Sequence, residues 1–378
     1  MVAAGDDWLR ENLGIVEPTA VTRAAEAGAG AEPDLAREII DFDSESDEEH
    51  SDARAFFAKA PKAHGLADLM PIPWPAGLEP KPVSPPPGEG LALPKCNVLV
   101  VTWTMDEGHA LARVLTPGFD SRDDWRRYTK NYTAIAKMMQ PLAPARNAGD
   151  LGTYWTASIG DTRVTLFKSA SHMSQDGPKL ANAVVWKQII EDAQPDLVVT
   201  CGTGGAIGAA EQVGDVLVSR YVTFDCRDKF PQLNGLTYRS PSAGSNRKYR
   251  TAKRLFRSNA VFLPQTNTRP PRIVTARSKA TGVLTTDYFG FDTSDDHYGL
   301  QGKGALAEMG DAVLGMVCDQ IGPGAPPYVI VRNVSDPQIA AQGTLREQAA
   351  VAAAIYKGYG RWSSVVGAIV VWAIIAAR

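Results

Sequence analysis

The stretch PDLVVTCGTGGAIGAAEQVGDVLVS, residues 195–219, decides the fold. Its first part, DLVVTC (196–201), is apolar at adjacent as well as alternate positions, as expected of a strand covered on both faces. Gly202, Gly204, Gly205 and Gly208 follow at once and allow the backbone to turn and to approach a bound molecule closely. The strand pattern then resumes in DVLVSRY (215–221). The glycine spacing is not that of a dinucleotide-binding GxGxxG, and no helix clearly opens on it. Taken alone, the segment reads equally as a tight structural turn.

Working outward, the same valine-rich pattern predicts strands at 97–103, 162–168, 281–286 and 327–334. Apolar residues at helical spacing predict helices over 179–193, 305–321, 344–358 and 362–376. Strands alternating with helices give one α/β domain around a central mixed or parallel sheet. The last stretch, WSSVVGAIVVWAIIAA (362–377), is almost free of polar groups. It falls short of the ~20 apolar residues of a membrane span and reads as a buried core helix, so no membrane partner is expected.

Residues 1–93 differ from the rest. Asp41–Asp52 is a block of acid and serine, and 71–94 is rich in proline, including PIPWPAG and VSPPPGEG. Neither buries enough apolar surface to offset ordering, so a largely disordered extension over 1–93 is expected, with the folded domain over 94–378. The acidic block suits a protein partner. The net charge of −3 lacks the basic field expected of a nucleic-acid binder. Cys96, Cys201, Cys226 and Cys318 are widely spaced, and the five histidines show no ligand spacing. A reducing, cytoplasmic setting is therefore expected, with neither metal nor organic cofactor. Arg239–Arg257 is locally basic and reads as a solvated face or as a contact to substrate phosphates.

Two further stretches carry chemistry. YVIVRNVSDP (328–337) is a strand ending in Ser335-Asp336, and ligands of α/β sheets gather at the carboxyl ends of strands. Ser-Asp before a helix is equally a cap. In 305–318, Glu308-Met309 interrupts an apolar run, and a carboxylate there is costly unless paired or bound to something.

Order and spacing of these stretches resemble the purine nucleoside phosphorylase/uridine phosphorylase superfamily, and within it the methylthioadenosine/adenosylhomocysteine nucleosidases. The glycine-rich segment with its VGD-plus-strand ending, EMGDAVLGMVCDQIG followed by PPYVIVRNVSD, LVVTWTMDEGHAL and LTTDYF carry the resemblance, which covers about residues 96–376. It implies a three-layer nucleoside phosphorylase-like α/β fold and cleavage of the N-glycosidic bond of a purine nucleoside or nucleotide. It also implies a homo-oligomer. Asp336 would be the acid that protonates the purine, and Glu107 the carboxylate that orients the attacking water. Phe289 would pack on the base, Glu308 and Met309 would hold the ribose, and Gly204, Gly205 and Arg332 would complete the substrate site. Plainer readings stand beside these. Glu107 also suits the first turn of a helix, Phe289 the core, and Arg332 a structural ion pair. His109 and His172 read as surface or core residues rather than bases.

One departure is clear: Gly310 occupies the place of the second glutamate of the family's EME triplet, which holds ribose hydroxyls. Asp311, one residue on, is a candidate replacement. The acidic TWTMDEGHAL segment repels phosphate, which favours water as nucleophile. SQDGPKL (174–180) resembles a phosphate loop and keeps a phosphorylase as the alternative. A nucleoside-binding sensor without catalysis is the alternative that Gly310 suggests.

Overall fold

The computed structural model of the chain describes residues 72–85, 92–173, 176–241, 269–288 and 290–378. Its elements, in chain order, are β1 Lys81–Val83, β2 Val98–Thr102, α1 Met105–Leu115, β3 Arg126–Arg127, α2 Tyr132–Ala136, α3 Pro144–Ala148, β4 Gly152–Ile159 and β5 Thr162–Ser169. There follow α4 Ala181–Ala193, β6 Leu197–Ala206, β7 Val216–Ser219, β8 Tyr221–Asp225, β9 Thr237–Arg239, β10 Ile273–Thr275 and β11 Val283–Thr286. The chain ends with β12 Leu306–Glu308, α5 Asp311–Ile321, β13 Tyr328–Asp336 and α6 Leu345–Ala376.

The strands form one mixed sheet, with a central parallel set of β5, β2, β6 and β13. Alternation along each strand divides its side chains between two cores. Val98 and Val100 of β2, with Val329 and Val331 of β13, meet Val366, Ile369 and Val370 of α6 and Leu111 of α1. Leu99 and Val101, with Tyr328 and Ile330, belong to the opposite core, shared with Trp186 and Ile189 of α4 and Val313 and Val317 of α5. Burial on both faces is why these strands read as continuous apolar runs. The result is the expected three-layer α/β fold with a central mixed sheet.

The strand β6 organises the molecule. Val198 and Val199 pair with β2, while Gly205 and Ala206 pair with β12 instead, in antiparallel sense. At its other edge β13 runs parallel to it, with an irregularity between Val334 and Asp336 that brings Asp336 opposite Gly205. The sheet thus changes partners at the carboxyl ends of β2, β6 and β13, which leaves a crevice there.

Four expectations differ from the structure. The helix expected over 305–321 begins only at Asp311, because Leu306–Glu308 is a strand paired to β6 and β11. The helices expected at 344–358 and 362–376 are one helix, Leu345–Ala376, opened by a Thr344/Glu347 capping box. Strand 215–221 is divided at Arg220 into β7 and β8. Finally, residues 72–85 do not stand off the domain as linker. Lys81–Val83 pairs with β4, Leu78 O accepts from Trp372 Nε1 at 2.7 Å, and the rings of Trp74 and Trp372 lie 4.9 Å apart. Proline is tolerated on such an edge strand because Pro82 lacks only a donor. The acidic block and most of the basic 239–257 segment lie outside the described residues.

Candidate active site

The crevice at the carboxyl ends of β2, β6 and β13 is lined by Glu107, Gly204, Gly205, Glu308, Met309, Arg332 and Asp336, all expected from the sequence. Phe289 lies outside the described residues, although its neighbour Gly290 lines the same cavity. The wall also contains residues that the sequence did not single out as ligand contacts: Trp103, Thr104, Thr203, Ala352 and Tyr356. His172, read from sequence as a core or surface residue, is both buried and part of this wall.

Asp336 ends β13. Its Oδ1 accepts from Ser335 Oγ at 2.7 Å. Burial pushes its carboxyl up to about 6, against a smaller lowering by the Ser335 hydroxyl. A Cβ on Gly205 would stand 2.6 Å from Asp336 Oδ2, so only glycine leaves this carboxylate its place. Gly202 acts in the same way. A Cβ there would collide with the Arg332 guanidinium and lie 2.9 Å from Glu107 Oε1. The glycines of residues 202–205 thus lie within a strand rather than forming the tight turn; Gly202 and Gly205 make room for charged side chains, and Gly204 for the backbone of Ala307.

Glu107 stands in the first turn of α1 and closes a capping box with Thr104. Its Oε2 accepts from Thr102 Oγ1 at 3.1 Å, Trp103 N at 3.0 Å and Thr104 N at 2.9 Å. Its Oε1 accepts from Thr203 N and Thr203 Oγ1, both at 2.7 Å. These five donors fill the roughly four lone-pair positions of a carboxylate. The helix-capping and site-lining readings of Glu107 therefore describe the same contacts.

Arg332 is buried among three carboxylates. It makes a bidentate pair with Asp311, Nε to Oδ2 at 2.7 Å and Nη2 to Oδ1 at 2.8 Å. Nη2 also lies 3.0 Å from Glu308 Oε2, and Nη1 donates to Thr203 O at 3.1 Å. The guanidinium carbon sits 4.6 Å from the Trp103 ring centroid, a cation–π contact. Glu308 in addition accepts from Gly310 N at 2.7 Å, Asp311 N at 2.9 Å and the Thr285 hydroxyl. It therefore caps α5 from the preceding strand. Burial and the adjacent Asp311 charge push the Glu308 carboxyl up. Asp311, bound by Arg332, does not line the cavity, and a Cβ at Gly310 would lie 3.5 Å from Trp103 Cζ2. Burial, followed by the charges of Arg332 and Lys229, lowers His172 to about 3, so its imidazole is neutral at physiological pH. In the SQDGPKL stretch, Asp176 is buried and accepts from Ser171 Oγ at 2.5 Å and His172 N at 3.0 Å, while Lys179 is exposed and does not line the cavity.

A search of curated proteins gives no match. Among solved structures, the chain is similar to 5′-methylthioadenosine/S-adenosylhomocysteine nucleosidase from Neisseria meningitidis, at 17% identity and a TM-score of 0.46, over 74% of this chain and 99% of that one. The corresponding nucleosidase of Helicobacter pylori gives 12% identity and a TM-score of 0.47, over 75% and 99%. Futalosine hydrolase of Helicobacter pylori gives 12% and 0.46, over 74% and 97%. The model of the phosphorylase superfamily matches residues 131–359, from the start of α2 to the cavity-lining turns of α6, and the chain belongs to that superfamily.

Proposed function

We propose that the chain is a nucleosidase that hydrolyses the N-glycosidic bond of a purine nucleoside or nucleotide. The observation that carries this reading is Asp336, a buried carboxyl at the end of β13 that holds its proton up to about pH 6 and lines the cavity. An acid poised near the working pH is what proton transfer to a leaving base requires. Asp336 gives its proton to the purine ring. The C1′–N bond breaks with its electron pair going to the base, and water adds to the ribose cation. The proton lost by that water restores the acid. Glu107 and Glu308 on the wall, with Asp311 behind Arg332, outnumber that single cation; burial holds Glu308 toward its protonated form, yet the balance stays negative, which favours a cationic sugar.

The same charges support water over phosphate. Arg332 is the only arginine or lysine lining the cavity among the described residues, and it is already bound to Asp311, Glu308 and Thr203. With its oxygens filled, Glu107 contributes charge and holds Thr203, rather than offering free lone pairs to water. We assign Gly204, Gly205, Met309 and Phe289 to the substrate wall, and a homo-oligomer in the cytoplasm to the working form. The Gly310 position favours a second reading, a nucleoside-binding sensor. Asp311, committed to Arg332, does not restore a carboxylate there.

The test is a panel of purine nucleosides and nucleotides incubated with and without phosphate, with free base followed by chromatography. Base released without phosphate, and reduced about a hundredfold or more in Asp336→Asn, is expected. Binding without release would favour the sensor, and dependence on phosphate would favour a phosphorylase.

A further inference from the structure

Tyr356 stands on α6, one helical turn beyond Ala352, and both line the cavity. Its phenol donates to Thr104 Oγ1 at 3.0 Å, joining the C-terminal helix to the junction of β2 and α1. Burial, then the charges of Glu107 and Asp106, push this phenol well above its ordinary range, so it keeps its proton.

The same Thr104 oxygen accepts from Glu107 N at 3.2 Å. A hydroxyl has two acceptor positions and one proton. With Tyr356 and Glu107 N on its acceptor positions, Thr104 has only its proton left to offer, and Thr104 lines the cavity. Thr203, also on the wall, is polarised the other way. Its proton goes to Glu107 Oε1 at 2.7 Å, which leaves its oxygen as an acceptor. The cavity therefore carries one hydroxyl fixed as donor and one fixed as acceptor, both anchored on Glu107. Each suits one side of a water molecule, which both donates and accepts.

We propose that Tyr356 is a positioning residue that fixes the Thr104 hydroxyl as a donor, so that Thr104 and Thr203 together orient the attacking water. This rests on the hydrolase reading above. It gives the orientation of water to two hydroxyls, with Glu107 as their common anchor and Tyr356 as the group that fixes the polarity of Thr104.

Tyr356→Phe removes one hydroxyl and keeps the ring. With the purine nucleoside turned over fastest in the panel, kcat is expected to fall about tenfold while KM changes less than about threefold. In a Thr104→Val background the same substitution is expected to cause no further loss, because Tyr356 acts through Thr104. An unchanged kcat in Tyr356→Phe would overturn the proposal. So would losses that multiply independently in the double variant, or a fall in kcat accompanied by a matching rise in KM and a lower melting temperature, which marks a merely structural role. If the unsubstituted protein releases no base from any member of the panel, the hydrolase reading fails first and takes this one with it. Activity in the parent with an unaffected Tyr356→Phe overturns this inference alone.

Discussion

Asp336 titrates differently in the folded and unfolded chain, and this links its chemistry to stability. Its ordinary value of 3.8 is raised to about 6 by burial. Below about pH 4 both states hold the proton and burial of the neutral acid carries no charge penalty. Between about 4 and 6 the folded state binds more protons than the unfolded one, so stability falls as pH rises. Above 6 the full penalty stands, on the order of 2–3 kcal/mol for a shift of about two units. Asp336→Asn should therefore match the parent in urea denaturation near pH 4 and exceed it by up to that amount at pH 7.5. A difference that does not change with pH would remove burial as the cause. Activity should follow the opposite logic in the parent, with kcat/KM falling as pH rises through about 6, since the protonated acid is the active form. Gly205→Ala tests the same carboxylate sterically. A Cβ 2.6 Å from Oδ2 must displace it, so base release should fall by about a hundredfold, a loss of the size expected when an acid is misplaced by about 1 Å. Retained activity in that variant would mean that Asp336 tolerates displacement.

Among the elements, those with an unbroken apolar run were legible, and those defined by pairing partners were not. Strands β2, β5, β6 and β13 are covered on both faces, so their apolar runs mark them. Leu306–Glu308 is three residues long and looks helical beside the apolar run that follows, and only its pairing with β6 and β11 makes it a strand. Gly202 and Gly205 showed that something approaches the backbone, but not that the approaching groups are Arg332 and Asp336 of the protein itself. Trp103, though inside LVVTWTMDEGHAL, and Tyr356 do not stand out, because the contacts that bring them to the cavity are long in sequence, Tyr356 to Thr104 spanning 252 residues. The proline-rich segment misled for a related reason. Composition registers few apolar residues in 72–85, yet Ile72, Trp74 and Leu78 pack against the core and the backbone of 81–83 pairs with β4, which is enough to hold the segment to β4 and α6. Trp372→Ala should therefore cost about 3–5 kcal/mol in urea denaturation, the range for a buried tryptophan, and should release this segment to proteolysis. A loss of under 1 kcal/mol would show that the segment is not held by this contact.

At the scale of the whole molecule, α6 is the element whose reading changes most with context. Its window Tyr359–Ala376 has a mean hydropathy of 1.4 over 18 residues, which by length and composition would suit a membrane span. In the fold, 89% of that window is buried against the protein. The contacts are specific. Ser363 Oγ accepts from Asn333 Nδ2 at 2.8 Å, and a Cβ on Gly367 would lie 2.7 Å from Asn333 Oδ1, so the glycine lets the helix settle onto β13. Withdrawing α6 into lipid would leave Asn333 without Ser363 and uncover the valines of β2 and β13 that it shields, a cost set by polar desolvation and lost apolar burial together. Gly367→Leu separates the two roles. It makes the helix more apolar, which would strengthen an anchor, but it places a side chain against Asn333, which weakens a docked core helix. The parent is expected in the soluble fraction after lysis without detergent. Gly367→Leu is expected to lower the melting temperature, and to appear, if it leaves that fraction, as aggregate that detergent does not return to solution. Recovery of the parent in a detergent-extractable membrane fraction, enriched further by Gly367→Leu, would instead make α6 an anchor.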